Sequence, residues 1–172
     1  WVQAVEGGID SSHISFLHSW MDNSQRRTTG GPIAAYTARD KHPRFETVET
    51  DCGILIGARR NAEEDSYYWR ITQFLLPWYT MIPGGVDPGQ QIGGHAWVPI
   101  DDVNVWRYSM TWRASRPFSQ EERDQILHGH GIHAEHIPGT YRALRNKSND
   151  YLIDREMQRT VNVLLMEIDK VR

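Results

Sequence analysis

The sequence predicts an α+β domain in which a helix is packed against, or gripped by, a curved antiparallel sheet. Two observations carry this prediction. Strand-like runs fill the middle of the chain from Arg44 to Ala114, and helical patterns flank them on both sides. Strands gathered in this way, rather than alternating with helices, argue for α+β architecture. A sheet of that kind can enclose an apolar cavity on its helix side. The chain has 172 residues, which suits one domain and lets it bury roughly 70% of its unfolded surface.

Residues 3–20 read as one helix, with Val5, Ile9, Phe16 and Leu17 near helical spacing. Gly7-Gly8 weakens that helix and marks a kink or a late start. Residues 21–43, with TTGGP in the middle, read as a long polar loop. RFETVETDCGILIGARR is rich in β-branched residues and reads as a strand, with NAEEDS as the turn after it. YYWRITQFLLPWYTMI is nearly continuously apolar, so it reads as a strand buried on both faces or lining a cavity. PGGVDPGQQIGG is a turn-rich connection. HAWVPIDDVNVWRYSMTWRA holds two strand-like runs, with Asp101-Asp102 bending the chain between them. Ser119 and Glu122 form a capping-box pattern that opens a helix over QEERDQIL. Residues 128–149 read as a loop, first histidine-rich and then basic. From Asp150 to Val171 a stripe of Leu152, Ile153, Met157, Val161, Leu164, Leu165 and Ile168 predicts a final helix.

Composition narrows the function. A formal net charge of −3 provides no electrostatic footprint for nucleic acid. No apolar run is long enough to span a bilayer and no signal pattern opens the chain. The single cysteine, Cys52, rules out an internal disulfide framework and fits a reducing cytoplasm. One thiol also cannot hold an iron–sulfur cluster within this chain. The seven tryptophans read as aromatic core, with a large apolar pocket as the alternative. The chain opens on Trp1, inside an ordered segment and without an initiator methionine, which reads as a fragment.

The segment EGGIDSSHISFLHSW sets Asp10 three residues before His13, and His18 five residues after His13. On a regular helix Asp10 and His13 are about 60° apart, whereas His13 and His18 are about 140° apart. That second interval is too wide for both imidazoles to share an ion, so a metal site requires the helix to widen or end between them, for instance at a π-bulge. Two imidazoles and a carboxylate are the ligand set of non-haem Fe(II) with positions open for oxygen. Asp10 could be the carboxylate ligand or a hydrogen-bond acceptor one step behind it. Spacing alone leaves open an ordinary helix that carries two histidines.

GGIDSSHISFLHS, HAWVPIDD and NDYLIDREMQRT occur in this order, and together they resemble the α-subunit catalytic domain of Rieske non-haem iron oxygenases. The likeness is to the phthalate dioxygenase-like branch of ring-hydroxylating and aryl-ether demethylating enzymes, and it covers roughly residues 1–160. The resemblance implies a helix-grip fold of the Bet v 1/START kind. It implies His13 and His18 as ligands of a mononuclear Fe(II). It makes Asp10 the carboxylate linking that iron to a Rieske [2Fe-2S] cluster on a neighbouring subunit. It further implies an aromatic, carboxylated substrate, dioxygen, a separate reductase, and a homo-oligomer, most simply a closed ring such as a trimer. The family's third ligand is an aspartate downstream of QRT. This chain continues QRTVNVLLMEIDKVR, where Glu167 and Asp169 are weak candidates. A ligand-bearing segment near residue 160 is expected to be missing, as is the Rieske domain. The rival readings are a non-catalytic helix-grip ligand-binding module and a zinc hydrolase.

Other groups read as structural. His128, His130, His133, Glu135 and His136 match no common zinc spacing and read as a surface loop. Asp101-Asp102 reads as a turn cap. Arg26-Arg27, Arg59-Arg60 and Arg145 could clamp a carboxylate, with solvated charge as the default for each.

Overall fold

The computed structural model describes residues 1–17, 31–83 and 91–161. His18, Arg26-Arg27, most of the TTGGP stretch, Glu167 and Asp169 lie outside the described residues, as do residues 162–171 of the expected final helix. The chain forms two compact units. The first comprises Trp1–Ser11, Pro43–Arg59 and Trp69–Glu135; the second comprises Ser12–His42, Arg60–Tyr68 and His136–Arg172.

A six-stranded antiparallel sheet, its strands neighbouring one another in chain order, dominates the first unit. Its strands are β1 (Arg44–Thr50), β2 (Gly53–Asn61), β3 (Tyr67–Leu75), β4 (Tyr79–Ile82), β5 (Ile92–Pro99) and β6 (Val105–Trp112). Two runs read as single strands are hairpins. RFETVETDCGILIGARR turns at Asp51-Cys52, where Thr50 pairs with Gly53. Gly53 has φ of +154°, and a Cβ there would lie 2.0 Å from the Phe74 carbonyl oxygen, so only glycine fits. The second run breaks at Leu76–Trp78, and Leu75 pairs with Tyr79 across the turn. The expected bend at Asp101 is present: its Oδ1 accepts from the backbone N–H groups of Val103 (2.9 Å) and Asn104 (2.7 Å). This closes β5 onto β6 with Pro99 opposite Val105.

Side chains alternate across a sheet with period 2. Thr80, His95 and Ser109 stand directly across from one another on β4, β5 and β6, and so share one face. Helix α1 (Val2–Ile9) packs on β4 and β5, with Gly8 so close to Thr80 that an added Cβ would lie 2.8 Å from Thr80 Oγ1. The opposite face is open: Trp69, Ile71, Trp106, Tyr108 and Trp112 are all exposed. β3 is therefore not buried on both faces. None of the described tryptophans is fully buried, so the aromatic-core reading is also corrected. Apolar rings cover a sheet face here instead of filling an interior.

The expected helix over residues 3–20 is two helices. α1 ends at Asp10, whose backbone is extended (φ −73°, ψ 117°) while its N–H still donates to Glu6 O at 3.0 Å. α2 is described over Ile14–Leu17. The cause is local and tertiary together. Asp10-Ser11-Ser12 is a run of side chains that compete with helical hydrogen bonds. Ser11, 2% exposed, turns inward, its Oγ 3.3 Å from Thr72 Oγ1.

Residues 21–43 are not all loop: Gly31–Arg39 is helix α3. Pro32 was read as punctuation, but proline is well placed in a first helical turn. Helix α4 (Gln120–Leu127) has the expected capping box at Ser119 and Glu122. The final helix starts later than expected, as α5 (Arg155–Val161), after a 3-10 segment over Lys147–Leu152. No helix among the described residues is long and apolar enough to cross a membrane.

Candidate functional site

Among the described residues the buried set is mostly polar. Val5, Ala58 and Ala96 are its apolar members, against Ser11, Ser15, Arg60, Thr72, Thr80 and His95. Buried polar groups need partners, so these residues mark where the fold holds its side chains in fixed positions.

In the first unit Asp10 ends α1 and is half-buried, next to the Ser11–Thr72 contact. On the same sheet face Thr80 Oγ1 accepts from Trp97 Nε1 at 2.9 Å. His95 is 8% exposed, with Nδ1 3.2 Å from Ser109 Oγ and its ring 5.0 Å from that of Trp97. Burial, followed by the positive charge of Arg107 and then His133, lowers its pKa to about 4. His95 is therefore neutral near pH 7 and presents one donor and one acceptor ring nitrogen, which is which depending on its tautomer. His133 Nε2 lies 2.7 Å from Thr111 Oγ1 and its pKa is also lowered, chiefly by burial.

In the second unit His13 opens α2: its carbonyl oxygen accepts from the N–H groups of Phe16 (2.9 Å) and Leu17 (2.7 Å). His13–Leu17 is thus a regular helical turn. The irregularity expected between His13 and His18 does not occur over His13–Leu17, and His18 lies outside the described residues; the helix breaks earlier, at Asp10–Ser12. Ser15 is the buried residue of α2, and its Oγ accepts from Arg60 Nη2 at 3.3 Å. Arg60 is fully buried, and its Nε also donates to the Asp40 carbonyl oxygen at 3.0 Å. The Asp40 carboxylate accepts from Asn61 N–H (2.8 Å) and His42 N–H (3.1 Å). These bonds, the Asn61 one foremost, hold its carboxyl below the usual range, with the Arg60 charge adding to them.

The other candidates fall out as follows. No group of three His, Cys, Asp or Glu side chains among the described residues could hold a metal ion. The histidine-rich stretch is dispersed: His133 bonds Thr111, His128 Nδ1 sits 3.5 Å from Glu135 Oε1, and His136 forms a bridge with Ala143. Asp101 caps its turn as expected. Arg59 lies over the Trp69 ring at 5.9 Å, and Arg145 donates to Tyr151 O at 3.4 Å. Arg60 is the correction, because a residue read as solvated charge is fully buried. Its signal was the period-2 alternation that places it on the side of buried Ala58. Ser15, Thr72 and Thr80 carried no signal that spacing could reveal.

Comparison with known proteins agrees with the resemblance read from the motifs. Residues 1–165 match the family described as LigXa C-terminal domain like, and the chain belongs to that family. It is homologous to oxygenase subunits of aromatic-ring dioxygenases. The oxygenase subunit of 3-chlorobenzoate-3,4-dioxygenase from Comamonas testosteroni is 32% identical over 173 residues, covering 95% of this chain and 39% of that protein. The oxygenase subunit of phthalate 4,5-dioxygenase from Pseudomonas putida is 31% identical over 170 residues, covering 94% and 37%. The chain thus spans about two fifths of the length of these relatives.

Proposed function

We propose that this chain is the mononuclear-iron catalytic domain of a Rieske-type oxygenase that hydroxylates or O-demethylates an aromatic, carboxylated substrate with dioxygen. The observation that carries the reading is the family match over residues 1–165, which contains Asp10, His13 and His18 in one segment. The helix break lies ahead of His13. Asp10 leaves α1 in extended backbone and His13 heads a new helical turn, so neither is locked into one continuous helix face.

The donor types fit the metal: imidazole and carboxylate are what non-haem Fe(II) takes. In this reading His13 and His18 are two ligands, and the carboxylate ligand lies outside the described residues or outside this chain. When bound, Fe(II) supplies open positions at which dioxygen is activated. Asp10 is the hydrogen-bonding carboxylate towards the Rieske [2Fe-2S] cluster of a neighbouring subunit. It fixes a histidine tautomer and shortens the electron path. Within the first unit, the sheet face beneath α1 carries a neutral His95 beside Trp97, its Nδ1 within hydrogen-bond distance of Ser109 Oγ. The same reading includes a helix-grip arrangement, a separate reductase, a ring-shaped homo-oligomer and a cytoplasmic location.

Metal analysis of the full protein tests this. We expect iron at close to one per domain, lost in His13→Ala. In Asp10→Asn we expect iron retained and turnover sharply slowed. Loss of iron in Asp10→Asn would make Asp10 a ligand and overturn its role as a bridge. A protein without iron, folded identically after His13→Ala, would be a ligand-binding module. Zinc at the same residues would make it a hydrolase.

A further inference from the structure

We infer that Arg60 is a positioning residue for the helix that carries His13, acting through its bond to Ser15. The inference rests on the proposed role of His13 as a ligand.

The described part of α2 is a single turn, and a first turn orders several residues for a single hydrogen bond, so it draws on tertiary contacts. Its apolar anchorage is limited to a half-buried Ile14, for Phe16 is 51% and Leu17 61% exposed. Its buried residue is a serine, 2% exposed, whose hydroxyl accepts from the guanidinium of Arg60. Arg60 is held from the other side by the Asp40 carbonyl, and the Asp40 carboxylate is clamped by the Asn61 and His42 N–H groups. The chain of bonds thus runs from the edge of β2, through a permanently charged planar fork, to a hydroxyl two residues after His13. A planar guanidinium fixes direction as well as distance. Lysine would keep the charge and lose the geometry. The sequence placed Arg60 among solvated charges, yet its full burial has a purpose if it orients the α2 backbone that presents His13.

The test is cobalt(II) titration of the metal-free full chain, followed by visible d–d absorption, with amide exchange at Phe16 and Leu17 measured before metal is added. Ser15→Ala should weaken cobalt binding roughly tenfold or more, the range found when supports of metal ligands are removed. It should also speed exchange at both amides. Ser15→Thr, which keeps the hydroxyl, should restore both readings towards the parent. Arg60→Lys should behave like Ser15→Ala. The double variant Ser15→Ala/Arg60→Met should bind no more weakly than Arg60→Met alone, because the two residues act as one unit. If Arg60 variants do not fold, the Ser15 pair decides by itself. Parent-like cobalt affinity in Ser15→Ala, with binding lost in His13→Ala, would overturn the positioning role alone. Parent-like affinity in His13→Ala would overturn the ligand assignment and this inference with it.

Discussion

Acidification should destabilise the first unit through His95, and the magnitude follows from its surroundings. His95 is 8% exposed, its ring lies against Trp97, and Arg107 and His133 add positive charge nearby. All three disfavour the imidazolium, and the pKa falls from 6.5 to about 4 in the folded chain. The unfolded chain takes up a proton near pH 6.5 and the folded chain does not until near pH 4. Stability is therefore fully present above pH 6.5, declines as pH falls between these values, and levels off below pH 4. At 1.36 kcal/mol per pKa unit, the loss is about 2 kcal/mol between pH 7 and 5 and tends to roughly 3 kcal/mol near pH 4. Urea unfolding of the parent and of His95→Gln at pH 7 and pH 5 measures it. The parent should lose about 2 kcal/mol more than the variant over that interval. Equal losses in both proteins, or a His95 proton resonance titrating near 6.5, would refute the reasoning.

The two adjacent glycines of α1 should respond oppositely to alanine. A Cβ on Gly7 meets nothing within 4 Å, so Gly7→Ala should raise stability by about 0.5–1 kcal/mol. A Cβ on Gly8 would press on Thr80, which is fully buried and holds Trp97, so Gly8→Ala should cost about 1–3 kcal/mol. Thermal unfolding reads both, and the reverse order would contradict the packing of α1 on β4. At α4, Ser119→Ala should cost about 1 kcal/mol by removing the cap. Arg116, Arg113 and the Ser119 N–H hold the Glu122 carboxyl well below its usual range. The folded group is the stronger acid, so its contribution is present above the ordinary carboxylate range and lost only as pH falls far below it. In Glu122→Gln that acid-dependent loss should vanish, measured by amide exchange in α4 as pH is lowered.

Local patterns made much of the fold legible. The capping box at Ser119 and Glu122, the bend at Asp101 and the strands of the middle region all lie where composition and spacing place them. The hairpin at Asp51-Cys52 was not legible, because Asp followed by Cys lacks the Asn-Gly or Asp-Gly pair that marks a two-residue hairpin loop. The glycine that permits it, Gly53, is required by a carbonyl on β3. The start of α3 was hidden by Gly31-Pro32, which punctuates a loop as readily as it opens a helix. The motif of Asp10, His13 and His18 was visible, but its setting was not. Treating the segment as one helix placed Asp10 and His13 on one face, whereas the chain breaks between them.

The sequence by itself determined the architecture class, the central block of strands with flanking helices, and the family segment that carries the proposed iron ligands. These depend on neighbours along the chain, where periodicity and capping act. Only the tertiary structure decided that Ser11 turns inward after α1, that Arg60 is buried against Ser15, and that His95 is held neutral. Each of those results from a contact between residues distant in sequence: Ser11 with Thr72, Arg60 with Ser15, His95 with Ser109. Burial of a polar side chain is settled by what comes to meet it, and no local pattern records the partner.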